Sequence, residues 1–145
     1  METGAPGTID LPTGSETVLV VEDDRGLREL TTTVLRSLGY RSLSAADGTT
    51  ALTVIESQPE IALLFTDVVL PGGMGGSDLV SAALARRPGL RVLYTSGYPD
   101  DERVRSGVGP GDAPFLRKPF RKPDLARAVR EALDRPHLQS LGGQP

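Results

Sequence analysis

The sequence predicts an α/β fold: a doubly wound (βα)5 arrangement, with a five-stranded parallel sheet carrying helices on both faces. Three observations predict it. Short, continuous apolar runs recur along the chain, and they alternate with segments whose apolar residues repeat at helical spacing. Gly, Pro, Asp and Ser punctuate the transitions between the two kinds of segment. A strand that is apolar throughout, rather than at every second residue, is covered on both faces, as in parallel sheets sandwiched between helices.

Thr17–Val21 (TVLVV) is the first buried-strand run, and Leu27, Leu30, Val34, Leu35 and Leu38 follow at helical spacing with Gly39 placed to end the helix. Tyr40–Ala45 is the second strand, and Asp47 caps a helix carrying Ala51, Leu52 and Ile55. Ile61–Thr66 (IALLFT) is the third strand, followed by the Pro71–Gly76 loop. Ser77 is the expected N-cap of a helix using Leu79, Val80, Ala83 and Leu84. Leu90–Thr95 and Pro114–Arg117 are the fourth and fifth strands, and Lys122–Arg135 the final helix, with Leu125, Val129, Ala132 and Leu133 on one face. The helix between the fourth and fifth strands must come from Tyr98–Ala113, which is rich in Gly and Pro. This fourth helix is therefore expected to be short or irregular. Residues 1–16 read as a flexible leader, 17–135 as one domain and 136–145 as a flexible tail.

Composition removes several classes of function. The chain has 145 residues, suited to one domain, and a formal charge of −3 with no basic block, so salt-driven nucleic-acid binding is not expected. With no Cys and the lone histidine His137 in the tail, thiolate chemistry and multi-histidine metal sites are excluded. No apolar run is long enough to span a bilayer, and the acidic, Gly/Pro-rich start is not a secretory signal. The expectation is a soluble, cytoplasmic protein without membrane contact by this segment. Lysine occurs only as Lys118 and Lys122, while Arg86, Arg87 and Arg117 read as solvated.

Parallel sheets bind ligands beyond the carboxyl ends of their strands. The residues that end the apolar runs are Glu22, Asp23 and Asp24, then Asp67, then Ser96, then Lys118-Pro119. Folding would gather them at one rim as a carboxylate cluster, a hydroxyl and one ammonium. Crowded carboxylates repel one another by several kcal/mol at an intermediate dielectric, and a hard divalent cation relieves this. An all-oxygen donor set suits Mg2+, with Mn2+ as an alternative. A carboxylate beside such an ion can act as nucleophile toward a phosphoryl group, with the ion, an ammonium and a hydroxyl stabilising the phosphoryl oxygens. Asp24 reads separately, as the N-cap of the first helix.

The runs VLVVEDD, LLFTDVVLP, VLYTSGY and FLRKPF, in this order, resemble the receiver domain of bacterial two-component response regulators, and the resemblance covers residues 17–135. It is most like the receivers of hybrid sensor histidine kinases. The resemblance implies the flavodoxin-like strand order 2-1-3-4-5, with Asp67 as phosphoacceptor and Glu22, Asp23, Asp67 and the Val69 carbonyl around the metal. Ser96 is implied as the switch hydroxyl, Lys118 as the phosphate-binding lysine and Phe115 as the switch aromatic. The Lys118-Pro119 peptide is commonly cis in that family. Glu22 stands where Asp is more frequent, and the loop after Pro71 is longer than usual.

The implied function is a phosphoacceptor in a phosphorelay. It would take a phosphoryl group from a phosphohistidine of a histidine kinase or histidine phosphotransfer domain and switch a surface read by a downstream protein. Its activity would be limited to self-phosphorylation and autodephosphorylation. Val69 and Tyr98 are bulky and cannot orient water as a carboxylate or amide would, so slow self-hydrolysis is expected relative to receivers with polar residues there. With no output domain after residue 135, both a single-domain regulator and the receiver of a hybrid kinase fit. Two other readings stand beside this one. An aspartate-nucleophile phosphatase would need a second Asp two residues after the nucleophile, where Val69 stands. A receiver-like binding module would signal without phosphorylation.

Overall fold

In the computed structural model, residues 10–97 and 113–135 are described. β1 (Thr17–Val21) is buried along its whole length, and its side chains alternate between two hydrophobic layers. Leu19 and Val21 face one layer, and Val18 and Val20 the other. Each fully buried aliphatic side chain contributes roughly 1.5–3 kcal/mol.

α1 (Arg25–Ser37) is capped by Asp24, whose carboxylate accepts from Leu27 N at 2.9 Å. It ends at Gly39, which has a φ of +100°. Gly39 N donates to the Arg36 carbonyl and Tyr40 N to the Leu35 carbonyl, the paired closure that requires a left-handed residue between them. β2 (Arg41–Ala45) follows. α2 (Gly48–Ser57) is capped by Asp47, which accepts from Thr50 N at 2.8 Å. β3 (Ile61–Asp67), α3 (Gly76–Arg86), β4 (Arg91–Ser96), β5 (Phe115–Arg117) and α4 (Lys122–Asp134) complete the described elements. The sheet is entirely parallel, in the order β2-β1-β3-β4-β5.

Ala51 and Ile55 of α2 and Leu79, Val80 and Ala83 of α3 fill one layer. Leu35 of α1 and Leu125, Val129 and Leu133 of α4 fill the other. A register shift between β1 and β3 adjusts the alternation: Thr17 pairs with Ile61 but Val18 with Leu63, so Ala62 is an extra residue. Beyond the shift, Val21 pairs with Thr66, which brings Glu22 and Asp67, the next residues of the two strands, level with each other.

Three readings change. α3 begins at Gly76 with Gly75 as its cap, so Ser77 lies inside the helix and is not the N-cap. The Asp78 carboxylate reaches back to Gly75 N at 3.1 Å, and Gly76 packs so closely on β3 that a Cβ there would fall against the Asp67 carbonyl oxygen. Arg87 is half-buried rather than solvated. Its guanidinium donates to the carbonyls of Gln58, Pro59 and Ile61 and so closes the turn between α2 and β3. Residues 10–16, read as part of a flexible leader, have no regular structure but are held in place. Leu11 packs on the α1/α4 layer, Gly14 N donates to the Leu38 carbonyl, and Arg130 of α4 binds Glu16 at 2.7 Å and the Thr13 carbonyl at 3.1 Å. The segment expected to hold a short helix between β4 and β5 lies, from residue 98 to 112, outside the described residues.

Arg130 lowers the pKa of the Glu16 carboxyl, its hydrogen bond outweighing the opposing effect of burial. A carboxyl lowered on folding adds stability above its unfolded pKa and loses it as pH falls through the folded value. Glu16→Gln is therefore expected to cost at most about 1 kcal/mol of stability at pH 7, for a partly exposed pair, and so to lower Tm. The difference should narrow as pH falls below about 4 and close only beneath the lowered folded value. Thermal melts at the two pH values check it.

Candidate functional site

β1 runs directly into Glu22, whose N–H extends the sheet pairing by donating to the Ala45 carbonyl at 3.1 Å. Glu22 is 4% exposed. Its Oε2 accepts from Asp24 N at 3.0 Å and its carbonyl from Arg28 Nη1 at 2.8 Å. Asp24 is the helix cap the sequence implied, and Asp23 stands between the two, exposed at the rim. Asp67 ends β3 and is 5% exposed. The next residue, Val68, stays tied to the sheet through its N–H to the Thr95 carbonyl at 2.9 Å. Lys118 follows β5, donates its backbone N–H to the Ser96 carbonyl at 3.0 Å and precedes a cis peptide to Pro119.

Lys118 Nζ lies 2.6 Å from Glu22 Oε1 and 2.6 Å from Asp67 Oδ2. Carboxylate oxygens of Glu22, Asp23 and Asp67 all lie within 4.8 Å of one another. With Asp24, Val69, Leu70, Pro71 and Gly97, these four residues line a cavity of about 520 Å3. Burial pushes the Asp67 carboxyl up to about 6, and the neighbouring Glu22 charge adds to the rise, while Lys118 opposes it. Burial also works against the charge on Glu22, but the hydrogen bonds from Lys118 and from Asp24 N outweigh it and leave its pKa lowered. The same contacts raise Lys118, outweighing its own burial.

Three carboxylates and one ammonium leave an excess of two negative charges at an all-oxygen rim. That donor set fits a hard divalent cation such as Mg2+, with the exposed Asp23 side open to water ligands. Glu22, Asp23 and Asp67 are the side chains that would hold it, and Val69, 48% exposed, lines the same cavity.

The structure thus brings Glu22, Asp23, Asp67, Val69 and Lys118 together. Ser96 is fully buried at the end of β4 and is not among the residues lining the cavity. Phe115 is half-buried in β5 and packs against the α2/α3 layer. Tyr98 lies outside the described residues. The grip of Arg28 on the Glu22 carbonyl was not foreseen, because nothing in the spacing of a helical arginine signals a backbone acceptor six residues earlier.

A family model for the response regulator receiver domain matches residues 18–130. Among curated proteins, the chain is 35% identical over 123 residues to the sensor kinase CckA of Brucella abortus, covering 84% of this chain and 13% of that protein. It is 36% identical over 126 residues to the DNA-binding response regulator MtrA of Mycobacterium bovis, covering 86% of this chain and 54% of that one. The chain therefore spans about half, or much less, of the length of these relatives. Among solved structures, it is similar to a receiver domain from the hybrid histidine kinase CckA, with a TM-score of 0.68 and 33% identity over 81% of this chain and 99% of that one. It is also similar to a CheY-like receiver domain protein from Methanospirillum hungatei, with a TM-score of 0.70 and 29% identity over 90% of this chain and 100% of that one. The strand order, the acidic rim and the matched span agree: the chain belongs to the response regulator receiver domain family of two-component systems.

Proposed function

We propose that this receiver domain is a phosphoacceptor, with Asp67 taking a phosphoryl group from a phosphohistidine of a histidine kinase or histidine phosphotransfer domain. The observation that carries the reading is the contact of Lys118 Nζ with Asp67 inside a cavity that also holds Glu22 and Asp23. An Asp67 carboxylate oxygen forms the new P–O bond as the N–P bond of the phosphohistidine breaks, and the imidazole nitrogen keeps the electron pair. Lys118 binds the transferred phosphoryl oxygens and orients the group. Bound Mg2+ would supply charge neutralisation, which brings an anionic donor to an acidic mouth. Esterification replaces the carboxylate that Lys118 holds, and Ser96 and Phe115 are the side chains we assign to relaying that change to a protein-binding surface.

This reading supports a cytoplasmic site of action, within a hybrid kinase or as a single-domain regulator. Among the described residues no helix is long and apolar enough to cross a membrane. Incubation with Mg2+ and a small phosphodonor, followed by intact mass, tests the proposal: one phosphoryl adduct is expected, and none in Asp67→Asn. No adduct on the wild type would favour a binding module that works unphosphorylated.

Val69 borders the cavity two residues after Asp67 and has no polar group to orient an attacking water. Val69→Asn is expected to shorten the phosphoryl lifetime by roughly tenfold or more, the contribution of a positioned polar group. The decay of the adduct, followed by mass, checks it.

A further inference from the structure

The first turn of α1 runs against helix electrostatics. The positive end of the helix dipole lies at the N-terminus and disfavours cations, yet Arg25 and Arg28 both stand in this turn with no acidic residue among them. Arg25 turns along the helix to Glu29, 3.0 Å away, with both side chains mostly exposed. Arg28, half-buried, turns the other way: its Nη1 donates to the Glu22 carbonyl oxygen at 2.8 Å, back across the start of the helix.

That oxygen is one the sheet leaves behind. The N–H and C=O of a residue in a parallel strand point toward the same neighbour. The Glu22 N–H pairs with the Ala45 carbonyl, so its own carbonyl also faces β2, and β2 ends at Ala45. The Arg28 guanidinium takes the place of the missing strand amide, and a charged donor makes the stronger bond. The carbonyl belongs to the peptide that joins Glu22 to Asp23. A peptide unit is planar and contains the Cα atoms of both residues, so holding its oxygen fixes the plane from which both side chains leave. Glu22 is also held by Lys118 and by Asp24 N. Asp23 is exposed at the rim, so packing does not aim it and the backbone must.

We propose that Arg28 is a positioning residue for the divalent cation: by holding the Glu22–Asp23 peptide it keeps the Asp23 carboxylate aimed into the donor set it forms with Glu22 and Asp67. The inference rests on the acidic rim being a Mg2+ site. Charge and position act here with opposite sign. As a bare positive charge near an acidic mouth, Arg28 would repel the cation, and its removal would tighten binding. As the holder of a ligand-bearing peptide, its removal loosens binding.

The test is a Mg2+ titration of metal-free protein followed by amide chemical shifts, whose dispersion also reports that each variant is folded. It compares wild type, Arg28→Met, Arg28→Lys and Arg25→Met. Arg28→Met is expected to weaken Mg2+ binding roughly 10-fold, the cost of losing a group that orients a metal ligand. Arg28→Lys keeps a cationic donor on a long arm and should recover most of the affinity. Arg25→Met removes the same charge from the same turn without touching the rim backbone, and should bind Mg2+ as the wild type does or slightly more tightly. Equal or tighter binding in Arg28→Met overturns the inference and leaves Arg28 a charge alone. Equal weakening in Arg28→Met and Arg28→Lys, or in Arg28→Met and Arg25→Met, also overturns it. A wild type that does not respond to Mg2+ removes the cation reading and this inference with it, whereas a responding wild type with an unaffected Arg28→Met removes this inference alone.

Discussion

Asp67→Asn is expected to lose phosphoryl uptake completely and, at the same time, to fold more stably than the wild type in divalent-free buffer. The first half follows from removal of the nucleophilic oxygen. The second follows from burial: a carboxyl pushed up to about 6 is one whose ionisation works against folding at neutral pH. A group raised on folding adds stability below its unfolded pKa, and that contribution is lost as pH rises through the folded value. An asparagine takes the uncharged form at every pH. The gain at pH 7.5 should be on the order of 1–3 kcal/mol, and it should shrink toward zero below about pH 4, where Asp67 is protonated in both states. Urea melts at pH 4 and 7.5 measure it. Saturating Mg2+ should stabilise the wild type and leave the variant nearly unmoved. Equal stability of the two proteins at pH 7.5 without metal would mean that the acidic rim carries no strain of charge.

Lys118→Met is expected to act in the opposite direction on stability while also slowing phosphoryl uptake. Methionine keeps the aliphatic arm but leaves Glu22 and Asp67 buried without the ammonium that now sits 2.6 Å from each. Removing one partner of a buried ion pair costs roughly 3–5 kcal/mol, although uptake of a proton by Asp67 offsets part of this. The phosphoryl oxygens also lose a preorganised cation, worth about 100-fold or more in rate. Adduct formation timed by mass should slow accordingly, with the loss of stability largest at high pH. A wild-type rate in Lys118→Met would take Lys118 out of the mechanism.

Much of this site was legible because parallel sheets put their chemistry at strand ends, and apolar runs that stop abruptly at Glu22, Asp67 and Ser96 mark those ends without any knowledge of packing. The strand order came only with the resemblance, since periodicity says nothing about which strands neighbour one another. The β1–β3 register shift was hidden because Ala62 is one apolar residue within an apolar run. Ser77 misled because serine is a strong capping residue in isolation. The start of α3 is set by the approach of Gly76 to β3 and by Asp78 reaching back, both tertiary facts. Arg87 looked solvated for a similar reason: its three carbonyl acceptors come from a turn far away in sequence.

The alternation along the sheet has one more consequence. Val20, Phe65 and Leu93 belong to the α1/α4 side, and Glu22 and Asp67 continue that side's alternation to the rim. The reacting groups therefore inherit their placement from half of the interior. The α2/α3 half reaches the rim by other means, through Leu70 in the cavity wall and Phe115 at the border of that half, so a change of shape there would bear on the proposed relay before the reacting atoms.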